Sequence, residues 1–187
     1  ALVPLLPTPV PAADRQPMPQ FLASGAWRRY VAPGQTIVPV PLPSYRTPEP
    51  LYWQAQAGLA YPLPRGYFLG PRGAGDPRAQ FGAPARQMSS TLSRISMLPW
   101  RPLDPSEMDT PLARSRRDHS GGSAPPFTRS ERAGARADLR YWHAAIVILA
   151  PPQHNEQMLR RRTSELLGFG PTWTGGVWLW DVRRLAG

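Results

Sequence analysis

The clearest pattern of apolar positions lies in the last third of the chain. Residues 144–150 form an uninterrupted apolar run with β-branched residues in its middle, which is typical of a strand buried on both faces. A turn at Pro151-Pro152, a helical stretch from Asn155 to Leu167 and a Gly-Pro break follow, and residues 176–182 form a second apolar segment. This order predicts a βαβ unit.

The rest of the chain continues the alternation of helices and strands. The predicted helices are 20–31, 50–60, 84–97 and a helix from Thr128 to about Trp142, and the predicted strands are 36–42, 66–69, 144–150 and 177–182. Thr128-Arg-Ser-Glu131 matches a capping box at the start of its helix. Residues 70–82 are polar and rich in Gly and Pro, which predicts a loop. We therefore expect an α/β fold, small and layered, with a mostly parallel sheet covered by helices.

Proline usage sets the expected domain organisation. The 26 prolines crowd the first half of the chain, and residues 1–19 predict an extended Pro-rich arm. We expect residues 20–187 to form a single domain, with a long, irregular and partly mobile loop over residues 99–127. The chain opens on Leu-Val-Pro-Leu-Leu without an initiator Met, so we expect it to be a fragment whose arm follows a transmembrane segment upstream.

Charge and cysteine content exclude some classes of function. The net charge is +10 and all 22 basic residues are Arg. Their clusters, at Arg114–Arg117 and Arg160–Arg162, are spread over the chain, and three successive helical residues point in different directions. We therefore expect no nucleic-acid partner; a nucleic-acid-binding protein is a third alternative, which would require a continuous Arg surface. The absence of cysteine excludes disulfides and thiolate metal sites.

Four groups of residues contain side chains that catalytic and metal sites use, but not in the patterns that such sites need. They are the segments Gly70–Asp76 and Asp118–Ser123, the acidic residues Asp104, Glu107 and Asp109, and the histidines His143 and His154. The first lacks a phosphate-loop signature, and the second has no nucleophile elbow. The acidic residues lack a calcium-loop pattern, and the histidines flank opposite ends of the predicted central strand. We expect no catalytic residues, no metal and no cofactor.

Tryptophans near the C-terminus are the candidate binding residues. Trp178 and Trp180 lie two apart on a predicted strand and so share one face, and Trp173 lies near the preceding element end. Exposed aromatic rings of this kind can stack on sugars. Core packing under the covering helices is the alternative and the commoner use of such residues.

Five phrases resemble the soluble C-terminal domain of actinobacterial multi-span membrane proteins. They are Leu139–Leu149, Thr174–Arg183, Gly25–Val31, Thr36–Pro41 and Gly66–Pro71. These proteins are described as integral-membrane glycosyltransferases that use polyprenyl-phosphate sugars. The resemblance covers most of residues 17–184 in the same order, and its phrases are descriptive rather than catalytic.

The resemblance implies a location and a function. It places the domain on the extracytoplasmic side of the cell membrane, after transmembrane helices, with the catalytic acidic residues in a loop upstream of this chain. The expected function is a non-catalytic accessory domain of a membrane glycosyltransferase that helps to bind a glycan acceptor or a polyprenyl-linked sugar through Trp173, Trp178 and Trp180. The alternative is a structural or protein-interaction extracytoplasmic domain without an enzymatic role.

Overall fold

The computed structural model describes residues 15–44, 47–66, 69–73, 75–82, 86–96, 126–153 and 155–186. In these ranges the elements follow in the order α1 (Gln20–Ala23), a 3₁₀ turn (Ala26–Arg29), β1 (Thr36–Pro39), α2 (Glu49–Gln56), β2 (Leu69–Gly73), β3 (Asp76–Phe81), α3 (Gln87–Ser96), α4 (Arg129–Tyr141), β4 (Ala144–Leu149), α5 (Glu156–Leu167), β5 (Thr172–Thr174), β6 (Val177–Asp181) and α6 (Arg183–Ala186). The α/β fold class is confirmed.

The main sheet has four strands in the order β1-β4-β6-β5. Strands β1 and β4 pair parallel at its core, whereas β6 is antiparallel to both β4 and β5. The predicted βαβ unit is therefore wrong. Helix α5 returns the chain to the edge of the sheet as β5, and a turn at Gly175-Gly176 reverses it, so that β6 enters beside β4 in the opposite direction. Both glycines have positive φ, 52° and 83°, as a tight hairpin turn requires.

Strand β4 is buried on both faces, as its apolar run predicts. Each of its six residues is buried. Val147 and Leu149 pack into one apolar cluster, and Ile146 and Ile148 pack into a second cluster on the other face. The alternation of a strand therefore divides the core into two halves.

Helices cover both faces of the sheet. Buried residues of α3, α4 and α5 fill the cluster beside Val147, and those of α1, the 3₁₀ turn and α2 fill the cluster beside Ile146. Helix α4 begins at the predicted capping box, since the Thr128 hydroxyl accepts from the Glu131 N–H and the Glu131 carboxylate accepts from the Thr128 N–H.

A second, two-stranded sheet occupies the segment predicted to be a loop. Strands β2 and β3 pair antiparallel across residues 69–81, around a turn in which Gly75 has a φ of 84°. The segment shows no alternation of apolar and polar residues, so the hydrophobic pattern did not reveal the hairpin. Of the predicted strand 66–69, Leu69 lies in β2 and residues 67–68 lie outside the described ranges.

Two expectations about domain organisation fall largely outside the described ranges. Residues 1–14 of the predicted arm and residues 99–125 of the predicted loop belong to this group. None of the helices in the described ranges combines the length and the apolar character that crossing a bilayer requires.

Candidate functional site

The three candidate tryptophans occupy three different environments. Trp180 is 0% exposed, and its indole N–H donates to the Ser164 hydroxyl of α5 at 3.3 Å. Trp178 shares that face of β6 but is half-buried. Trp173, on the edge strand β5, is 51% exposed. Core packing is therefore the role of Trp180, and Trp173 is the ring that a ligand can reach.

Trp173 and Trp178 form one continuous aromatic surface. They are direct partners across β5 and β6, and their ring centroids lie 4.8 Å apart with the planes inclined at 58°. Residues directly opposite in an antiparallel pair point to the same face, so both rings lie on the side of the sheet that α5 covers. Trp173 extends this surface beyond the helix into solvent.

Charged groups of the first turns of α5 border the two rings. The Trp178 indole N–H donates to Glu156 Oε1 at 2.9 Å, and the Arg160 guanidinium carbon lies 4.3 Å from the Trp178 ring centroid. Both charged residues are half-buried. We call Trp173, Trp178, Glu156 and Arg160 the Trp173 patch.

The Trp173 patch has the donors, acceptors and apolar surface that sugar binding uses. The apolar C–H face of a pyranose can stack on an aromatic ring, while its hydroxyls need hydrogen-bond partners. Glu156 is an acceptor and Arg160 is a donor, and both are fixed by their contacts with Trp178. Because the patch lies on an open surface, it suits one face of an extended chain better than an enclosed small molecule.

A crevice at the carboxyl ends of β1 and β4 is a second candidate. It encloses about 270 Å³ including space open to solvent, and its lining includes Pro39, Val40, Glu49, Trp53 and Gln153. Ligands of open α/β sheets often bind at this edge. Among the described lining residues Glu49 is the only ionisable side chain, so they supply no acid–base pair.

A buried carboxylate elsewhere in the fold has a structural role. Asp138 of α4 accepts from the Arg86 Nε–H and from the Met88 backbone N–H, both at 2.7 Å. Met88 lies in the first turn of α3, where backbone N–H groups lack helical partners. Asp138 therefore caps α3 from a neighbouring helix, and both of its oxygens are occupied.

The shifted pKa values in the described part of the chain have structural causes. A hydrogen bond from Arg183 lowers the pKa of Asp181, and a hydrogen bond from Arg78 lowers the pKa of Asp76. Burial raises the pKa of Tyr61. The first two are surface ion pairs, and the third is a core residue.

The remaining candidates of the sequence do not assemble into a site. Asp104, Glu107, Asp109, His154 and the segment Asp118–Ser123 lie outside the described residues, and His143 is exposed in the turn before β4. Within the described ranges, no three His, Cys, Asp or Glu side chains lie together as metal ligands.

A row of arginines on α4 is a feature that the sequence interpretation missed. Arg129, Arg132, Arg136 and Arg140 are separated by three, four and four residues, a spacing that puts side chains on one face of a helix. The signal was present once Thr128 to Trp142 was predicted to be helical. These four arginines are not adjacent in sequence and form a row only on the helix surface.

Comparison of the chain with protein-family models, curated proteins and solved structures found no match. The resemblance to membrane glycosyltransferase domains therefore stays a prediction, and the geometry of the Trp173 patch is an independent basis for a functional proposal.

Proposed function

We propose that this chain is a non-catalytic accessory domain of a membrane-embedded glycosyltransferase and that it binds a glycan acceptor on the extracytoplasmic side of the membrane. The single observation that supports glycan binding best is the exposed Trp173 ring, packed against Trp178 beside a fixed carboxylate and a fixed guanidinium. The membrane and glycosyltransferase parts of the proposal are supported by the sequence resemblance.

The three tryptophans and Glu156 contribute differently to glycan binding. Trp173 supplies the apolar platform, and Trp178 fixes its position from the partner strand. The second carboxylate oxygen of Glu156 is available to a sugar hydroxyl, since the Trp178 N–H engages Oε1. Trp180 contributes only by packing, because it is fully buried.

Titration of the chain with neutral oligosaccharides, followed by tryptophan fluorescence, tests the proposal. We expect saturable binding at millimolar sugar. Trp173→Ala should weaken it about tenfold or more, as loss of a central aromatic contact typically does. Tyr141→Ala is the matched control, because Tyr141 is also an exposed aromatic residue, 65% exposed, but lies on α4.

Two outcomes would contradict glycan binding. One is the absence of any response to millimolar sugar, and the other is an equal loss of affinity in the Trp173 and Tyr141 variants. The membrane part has its own test in the coding sequence upstream of Ala1. Several runs of about 20 apolar residues are expected there, and their absence would remove that part of the proposal.

The second candidate function is a structural or protein-interaction domain. The observation that favours it is the burial of Trp180 beneath α5, which makes half of the shared tryptophan face part of the core. In that case the Trp173 patch would contact a protein, and the oligosaccharide titration would show no binding.

A further inference from the structure

The row of arginines on α4 forms a straight basic ridge. With about 100° and 1.5 Å per residue, Arg129, Arg132, Arg136 and Arg140 fall within about 80° of the helix circumference and extend over about 16 Å. Three of the four are exposed, and Arg132 is half-buried. We call these four residues the α4 ridge.

No carboxylate of the described residues forms an ion pair with the α4 ridge. The two acidic residues of the same helix are otherwise engaged, Glu131 in the capping box and Asp138 with Arg86 and Met88. Surface arginines elsewhere in the fold do pair, as Arg78 does with Asp76 and Arg183 with Asp181. Among the residues that the structure describes, the ridge is therefore a strip of positive charge without an ion-pair partner.

Most of the α4 ridge does not stabilise the helix that carries it, although Arg140 lies in the last turn, where the macrodipole favours a cation. Like charges at i,i+4 repel each other, as Arg132, Arg136 and Arg140 do. Arg129 is the first residue of the helix, where the macrodipole disfavours a cation. An anionic partner would relieve both unfavourable terms, so the arrangement indicates a binding surface rather than a device for stability.

We propose that the α4 ridge binds the phosphate groups of an anionic lipid bilayer and lays α4 along the membrane surface. The inference rests on the proposed function, which places the domain beside a bilayer. A straight convex ridge can present all its cations to a flat array of phosphates at once. Between the arginines the exposed positions are Ser130, Ala133 and Ala137, whose small side chains let the helix approach that surface closely.

The same ridge fits a nucleic acid less well. A helix that reads a duplex needs side chains that contact base edges between its phosphate contacts. Ala133 and Ala137 occupy two of those positions on α4 and offer no hydrogen-bonding groups, and the third, Ser130, offers one short hydroxyl. Binding to an anionic bilayer requires only cations, and each cation increases the affinity about fivefold.

Co-sedimentation of the whole chain with vesicles tests the proposal, using phosphatidylcholine with or without phosphatidylglycerol. The triple variant Arg129→Gln/Arg136→Gln/Arg140→Gln removes three exposed charges of the ridge. The matched control is Arg15→Gln/Arg28→Gln/Arg29→Gln, which removes three exposed charges elsewhere and has the same net charge. Arg28 and Arg29 belong to the 3₁₀ turn, whose Trp27 packs into the core half opposite to that of α4.

The expected result is binding that requires phosphatidylglycerol and weakens as salt rises. The ridge variant should bind roughly 100-fold more weakly, the product of three fivefold losses, and the control should remain within a few-fold of the parent. Equal losses in the two variants would overturn the proposal, because net charge alone would then explain binding. A ridge-dependent affinity for a duplex oligonucleotide, without vesicle binding, would overturn it in favour of nucleic acid.

The test separates this inference from the proposed function. Trp173→Ala should leave vesicle binding unchanged, and the ridge variant should leave oligosaccharide binding unchanged. If vesicle binding fails while the oligosaccharide titration succeeds, only the membrane contact of α4 is refuted. Circular dichroism melts of both triple variants check that each is folded.

Discussion

Replacing Asp138 by Ala should strongly destabilise the fold, although the residue does not belong to the Trp173 patch. Its side chain is 5% exposed and receives hydrogen bonds from Arg86, which immediately precedes α3, and from Met88 in the first turn of α3. The substitution removes the only link of this kind between α3 and α4 among the described hydrogen bonds, and it leaves the first turn of α3 without its acceptor.

The expected loss in the free energy of unfolding is the sum of the contributions of the two hydrogen bonds. The Met88 N–H is buried, and a buried donor without a partner costs about 1–3 kcal/mol. The bond from Arg86 contributes less, because the Arg86 side chain is 35% exposed and water can replace part of the contact. Together they give about 3 kcal/mol for Asp138→Ala. Asp138→Asn should lose about half of that, since its amide oxygen can still accept from Met88.

Urea denaturation of the parent and the variants measures this free energy of unfolding. The matched control is Asp76→Ala, which removes a carboxylate paired with Arg78 at 2.8 Å on the surface. We expect no measurable change in that control. A loss below about 1 kcal/mol for Asp138→Ala, well short of a buried unpaired donor, would refute the assigned capping role.

Three further predictions concern the core, a turn and an ion pair. Trp180→Ala should cost about 3–5 kcal/mol in urea denaturation, as large truncations in a core do, and a loss similar to that of an exposed residue would contradict its burial. Gly175→Ala should destabilise by about 2 kcal/mol more than Gly34→Ala; both have positive φ, but only at Gly175 would the added Cβ lie 2.9 Å from the backbone of α1. Equal losses would show that the contact yields. Arg183 lowers the pKa of Asp181, so the pair stabilises the fold above about pH 4 and this contribution disappears as the pH falls further. Asp181→Asn should flatten that acid limb by about 0.5 kcal/mol, since the pair is exposed and exposed pairs contribute about 0.2–1 kcal/mol, and an unchanged limb would contradict the assignment.

Sequence patterns predicted the elements that are determined by residues close together in the sequence. The capping box at Thr128 and Glu131 fixes the start of α4, and the two participants are three residues apart. The apolar run 144–150 predicted a strand buried on both faces, because burial on both faces leaves no polar position in the pattern. These two features were confirmed.

Pairing between strands could not be predicted in the same way. Strand β5 has only three residues, and none of them is buried, so it carries no apolar signature. Without β5, the segment from α5 to β6 has the order of a parallel βαβ unit. The Gly175-Gly176 pair was the available signal for a hairpin, and it decides the direction of β6.

The sequence predicted which tryptophans form the candidate site, but not how exposed each of them is. A spacing of two showed that Trp178 and Trp180 share a face of the strand. How far α5 covers that face depends on tertiary packing, and the helix buries Trp180 through Ser164 while leaving Trp178 at its border. Glu156 and Arg160 entered the site for the same reason, since they lie on the first turns of the covering helix.

The most direct test of the central claim is an NMR titration of the side-chain resonances of Trp173, Trp178 and Trp180 with neutral oligosaccharide. The account predicts saturable shifts for the exposed ring of Trp173 and the indole N–H of Trp178, and an unchanged indole N–H for the buried Trp180. Absence of shifts at Trp173 and Trp178 at millimolar sugar, or shifts of equal size at all three, would contradict glycan binding by the Trp173 patch.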